Sequence, residues 1–116
     1  MHAPSPYKPA GYDPETQFHE LERAADAMIE AMQDARLTEE LQKPRLASLT
    51  LQFMRSSKSR VEAETQALAS PDYEEYIRGM VAAGVKYERA RARYRNLQVL
   101  AEARRTEQAS IRALTR

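Results

Sequence analysis

The side chains able to do chemistry are few and far apart. Histidine occurs only at His2 and His19. Neither has a second histidine or a cysteine at the short spacing a zinc site requires. The chain has no cysteine at all, which excludes disulfides, thiolate ligands and thiol nucleophiles and fits a reducing compartment. Glu74 and Glu75 are adjacent acids, but they follow Ser70, Pro71 and Asp72. Carboxylates there offset the positive end of a helix dipole, and that role explains them without acid/base catalysis. No glycine-rich phosphate loop is present. The chain reads as non-enzymatic, with no metal, cofactor or small-molecule substrate.

The one dense constellation is basic. Arg89, Arg91, Arg93 and Arg95 alternate with Ala90, Ala92 and Tyr94, and Arg104 and Arg105 follow. Alternate residues on a helix point about 200° apart, so these arginines do not form one row. Arg91 and Arg93 flank Tyr87, Ala90 and Tyr94 on either side, and Arg89 and Arg95 lie further round. Such a surface can follow a phosphate backbone or an acidic protein, with Tyr94 stacking a base. The plainer alternative is that the arginine stems cover apolar edges while their heads stay in water.

The element carrying these residues is a long helix. Tyr76, Met80, Ala83, Tyr87, Ala90, Tyr94, Leu97 and Ala101 recur at alternating steps of four and three. That spacing keeps one apolar stripe on one side of a single rod. Ser70, Pro71 and Asp72 supply a cap, a first-turn proline and an acid, and no proline follows, so the helix is predicted over 71–115. Gly79 and Ala83 form a pair of small residues one turn apart, a spacing that lets a neighbouring backbone approach. From Leu97 onward the stripe weakens, and Arg104 and Gln108 take its positions.

Two shorter helices are predicted upstream. Asp13, Pro14 and Glu15 start one over 14–36, whose stripe is Phe18, Leu21, Ala25, Met28, Met32 and Ala35. Thr38 to Lys43 reads as a loop or frayed turn before Pro44. A helix over 44–69 follows. It is apolar almost all round at Leu46, Leu49, Leu51, Phe53 and Met54, which calls for cover from more than one neighbour. It turns polar from Arg55 to Arg60. With only a residue or two before Pro71, helices 44–69 and 71–115 are predicted to fold back as an antiparallel hairpin. Residues 1–13, with Pro4, Pro6, Pro9 and Gly11, read as a flexible arm. Pro6 and Pro9 have the spacing of polyproline ligands.

Composition agrees with a small helical domain: 116 residues, 30% charged and 7% aromatic, without tryptophan. Net charge is +1, yet residues 1–40 hold three Lys/Arg against nine Asp/Glu, and residues 86–116 hold nine against three. That polarity suits self-association or an anionic partner. No apolar run approaches the ~18 residues of a membrane span, and no signal-peptide core opens the chain. A cytoplasmic location without membrane contact is expected.

Three stretches carry a family resemblance: Lys58 to Glu64 (Lys-Ser-Arg-Val-Glu-Ala-Glu), Tyr87 to Tyr94 (Tyr-Glu-Arg-Ala-Arg-Ala-Arg-Tyr), and Arg104 to Glu107. From about Arg55 to Arg116 the chain resembles small all-helical phage and prophage proteins of early regions. The resemblance implies an accessory role near DNA recombination and replication, and it implies no catalytic residues. The expectation is therefore an all-α protein with an amphipathic helix packed on a long antiparallel, coiled-coil-like hairpin, in a single domain over 14–116. It is expected to be oligomeric through the Tyr76–Ala101 stripe and to act by docking a protein partner. Direct single-stranded DNA binding through the arginines, and inhibition of a host nuclease or defence complex, are the alternatives.

Overall fold

A computed structural model describes residues 13–115; the expected arm over 1–13 lies outside them except for Asp13. The protein is all-α, with α1 (Pro14–Glu40), α2 (Gln42–Met54), α3 (Arg60–Leu68) and α4 (Pro71–Thr115). The chain clusters into two compact units. One is built from α1 up to Met28 and α4 from Arg89; the other is Ile29–Glu88. The sequence reading had one domain over 14–116.

Helices α1, α3 and α4 start where a side chain satisfies otherwise unpaired backbone N–H groups, whereas α2 follows Leu41 with no side-chain cap. Asp13 caps α1: its carboxylate accepts from Glu15 N at 3.1 Å and from the Thr16 hydroxyl at 2.8 Å. Ser70 caps α4 by accepting from Tyr73 N at 3.2 Å, while its own hydroxyl donates to the Ala67 carbonyl at 2.6 Å. Pro71 then occupies the first helical position, where no N–H is needed. Helix α4 is one uninterrupted element of 45 residues, with the predicted ends.

The helix predicted over 14–36 runs on to Glu40. Thr38 does not cap a new turn; its hydroxyl donates back to the Asp34 carbonyl, an arrangement of the helix interior. Only Leu41 separates α1 from α2. Helical hydrogen bonds persist across it, from Leu41 N to Leu37 O and from Arg45 N to Leu41 O. Pro44 has no N–H to offer the Glu40 carbonyl, and that single missing bond makes the joint.

The single helix predicted over 44–69 is two helices, and the break comes from serine. Ser57 donates its hydroxyl to the Phe53 carbonyl at 2.7 Å and also lies 2.9 Å from Gln66 Oε1, which ends α2. Ser59 then caps α3, accepting from Glu62 N at 3.2 Å, and Glu62 reaches back to accept from Lys58 N at 3.0 Å. This is a capping box displaced by one residue. Helix α3 consequently turns back and packs on α2.

The antiparallel hairpin of this unit therefore turns at residues 55–59 and not at Ser70. Ser57 pairs with Gln66, Gln42 Nε2 donates to Tyr73 Oη at 3.1 Å, and Tyr76 Oη donates to the Thr38 carbonyl. Partner numbers rise as the others fall, which defines the opposed directions. The neighbour of early α4 is thus the end of α1, not a 26-residue second helix.

Buried faces are made of small residues. Ala31, Ala63 and Ala67 are enclosed in the Ile29–Glu88 unit, and Ala24 and Ala101 in the other. Leu49 is the single large side chain completely enclosed among the described residues, at 1% exposure. Truncating it leaves a cavity that helix backbones cannot collapse to fill. Leu49→Ala is expected to destabilise the fold by about 2–4 kcal/mol, whereas Leu51→Ala, two residues on and 69% exposed, should change it by less than about 0.5 kcal/mol. Urea unfolding followed by circular dichroism checks both.

Candidate functional site

The stripe from Tyr76 to Ala101 occupies the covered face of α4. Ala101 is buried, and Tyr76, Met80, Ala83, Tyr87, Ala90, Tyr94 and Leu97 are half-buried. The face that covers it belongs to the chain itself. In the Ile29–Glu88 unit it is the end of α1, tied through Tyr76 to Thr38. In the other unit it is the start of α1, where Gln17 and Ala24 are buried. The part of α4 beyond Leu97, where the stripe weakens, thus shares a compact unit with the start of α1. The stripe read as a partner or oligomer seam is occupied within the chain.

The stripe of α1 differs from the expected one by a rotation of about one residue. Its most enclosed positions are Gln17, Ala24 and Ala31, seven apart, with Leu21, Ala25, Met28, Met32, Ala35 and Thr38 half-buried beside them. Phe18, expected in the stripe, is 63% exposed and meets His19 edge to face at 5.9 Å. His19 lies at the surface 3.9 Å from Glu15. No group of three or more His, Asp or Glu is placed to hold a metal ion among the described residues. Gly79 and Gly84 serve no close approach, because a Cβ at either would meet nothing within 4 Å.

The arginines divide. Arg89, Arg91, Arg93, Arg95 and Arg105 are exposed, while Arg104 is half-buried on the covered side. Arg89 and Arg93 border a shallow hollow of about 460 Å³ on α4, floored by Ala92, Leu97 and Leu100 and closed by Asn96. No acid lines it. Tyr94 faces the covered side and is not part of it.

A second concavity, absent from the sequence reading, lies between α2 and α3 and also measures about 460 Å³. Its wall on α2 is Leu46, Ala47, Thr50, Leu51 and Met54, and its charged rim is Lys43, Arg60 and Glu64. It exists because α3 folds back onto α2; Leu49 is enclosed, while Leu51 and Met54 on the same helix stay open to solvent. Met54 is 42% exposed. A smaller hollow next to it, lined by Ser48, Gln52 and Arg55, shares Leu51. The signal for this cleft was the all-round apolar character of residues 46–54.

No family model, curated protein or solved structure matches this chain. None of its helices among the described residues is long and apolar enough to cross a membrane.

Placing a charge on the α4 stripe now tests folding. Tyr87→Asp and Leu97→Asp are each expected to lower stability by about 2–4 kcal/mol, well beyond the effect of Val99→Asp, whose site is 61% exposed. Equal urea midpoints for Leu97→Asp and Val99→Asp would remove the claim that α1 covers this face.

Proposed function

We propose that this chain is a non-enzymatic helical docking protein whose working surface is the cleft between α2 and α3. The observation that carries this reading is a leucine held in the open. Leu51 stands 69% exposed on a helix whose neighbouring Leu49 is fully enclosed, so its position is fixed while its surface is unused. Small monomeric proteins keep contiguous apolar concavities mainly where something binds. The resemblance to phage early-region proteins supplies the setting: an accessory factor in DNA recombination or replication that acts by holding another protein. An inhibitor of a host nuclease or defence complex would use the same surface.

A photo-crosslinking residue at position 51 should trap a discrete protein adduct in bacterial lysate that the same residue at position 99 does not. Adducts that are identical from both positions, or absent from both, would overturn the docking reading.

One observation favours a second reading, direct binding of single-stranded DNA. Exposed Arg89 and Arg93 share an acid-free hollow with Asn96, a surface suited to phosphate. Tyr94, being on the covered face, is withdrawn from the stacking role. Binding of this kind weakens log-linearly with salt. A gel shift with single-stranded oligonucleotide should appear at about 50 mM salt, fade by about 200 mM, and be lost in Arg89→Ala/Arg93→Ala. No shift at the lower salt eliminates this reading.

A further inference from the structure

The stretch from Gln42 to Arg60 holds Lys43, Arg45, Arg55, Lys58 and Arg60 and no acid. Folding gathers three of these cations around Leu51. Lys43 and Arg60 rim the cleft between α2 and α3, and Arg55 lines the adjoining hollow. Among the described residues Glu64 is the single carboxylate lining either concavity. Glu62 lines neither hollow, and its carboxylate accepts from the Lys58 backbone N–H at 3.0 Å. Glu39 and Glu40 lie before the Leu41 joint, outside both hollows. The surface is an apolar trough with a basic border.

The shape selects among ligands that an apolar and basic surface attracts. Leu46 to Met54 is a little over two helical turns, roughly 12 Å of trough. Two packed helices with a trough between them lack a third, and a third helix is what such a trough accepts. A second copy offering the same cleft would bring Lys43, Arg55 and Arg60 onto their own images. Among the described residues the trough wall offers leucine and methionine and no aromatic on which a base could stack. A bilayer presents no ridge to fill a concavity.

We propose that the α2–α3 cleft captures an acidic amphipathic helix of a partner protein. This rests on the docking reading above and adds the chemistry of the partner. Leucines one turn apart on the incoming helix seat on Leu46, Leu51 and Met54, and its carboxylates lie over Lys43, Arg55 and Arg60. The apolar contacts supply most of the affinity. The rim charges steer the encounter and reject basic helices.

The test uses the full chain and two fluorescent synthetic helical peptides of about sixteen residues, with the same leucine pattern. One carries glutamate at the remaining positions and the other lysine. Anisotropy should show saturable binding of the acidic peptide, with affinity falling severalfold at about 0.5 M salt, and no binding of the basic one. Leu51→Glu/Met54→Glu should weaken binding at least about tenfold. Arg60→Glu, which leaves the apolar trough intact, should weaken it severalfold. Unchanged thermal melts confirm that the variants fold. Equal binding of both peptides, or none of the acidic one up to about 1 mM, overturns the proposal. So does binding to anionic phospholipid vesicles without peptide binding. So too does a doubled mass in light scattering that Leu51→Glu abolishes, which would assign the cleft to a second copy. If the position-51 crosslink persists while peptide binding fails, the docking reading survives and only the partner's acidity is wrong.

Discussion

Alanine facing alanine-sized space is the constraint on which the rest of this structure depends. Ala24 and Ala31 on α1, Ala63 and Ala67 on α3, and Ala101 on α4 are enclosed, while most leucines, valines and methionines sit at edges or outside. A methyl group contributes little burial by itself. What it permits is closeness: helix axes approach toward the lower end of the 8–10 Å range when the side chains between them are small, and many backbone and Cβ atoms then reach dispersion contact. The two α3 alanines have no exposed surface at all. The fully enclosed apolar positions among the described residues are therefore small ones, with Leu49 the exception.

The same constraint produces the open surfaces. A helix packed on one neighbour buries one face and shows the others. With 42% of its residues hydrophobic, this chain has more apolar side chains than its narrow contacts can enclose. The surplus appears at Phe18, Leu51, Val61 and Val99. Single exposed apolar groups are ordinary for a protein surface. At Leu51 it is joined by Leu46, Ala47 and Met54 in a concavity, and contiguity is what distinguishes a binding surface from scattered exposure. The end of the hairpin is also well fastened. Ser57, Ser59, Gln66 and Glu62 tie its turn together, which holds the walls of the cleft in place.

How far the sequence discloses this arrangement varies with the kind of signal. Helix α4 was legible to the residue, because a four-three repeat, a serine cap and a first-turn proline agree and no proline contradicts them. All eight stripe positions fall on the covered face. Its partner was not legible, since a stripe declares that it is covered and not by what. In α1 the hydrophobic ranking misled: Phe18 outweighs Gln17 on any transfer scale, yet the heptad of Gln17, Ala24 and Ala31 is the one that lets the helices close. Ser59 and Glu62 were readable as a helix start. They went unread because the surrounding residues tolerate a helix and the period was carried through them. That single omission hid both the turn at 55–59 and the cleft, which exists only because α3 reverses.

Energetics decide which apolar surface of this molecule is available to a partner. A ligand competing for the Tyr76–Ala101 stripe must first separate α4 from α1. That step exposes the enclosed alanines and half-buried tyrosines and breaks the Tyr76 bond to the Thr38 carbonyl. At about 25 cal/mol per Å² of apolar surface, even a few hundred Å² re-exposed costs several kcal/mol, a penalty of three or more orders of magnitude in apparent affinity. A ligand at the α2–α3 cleft meets Leu51 and Met54 already in solvent and separates nothing. The stripe that dominates the sequence is therefore engaged within the chain, whereas the shorter apolar run beside the reversal of α3 already lies open to solvent at Leu51 and Met54.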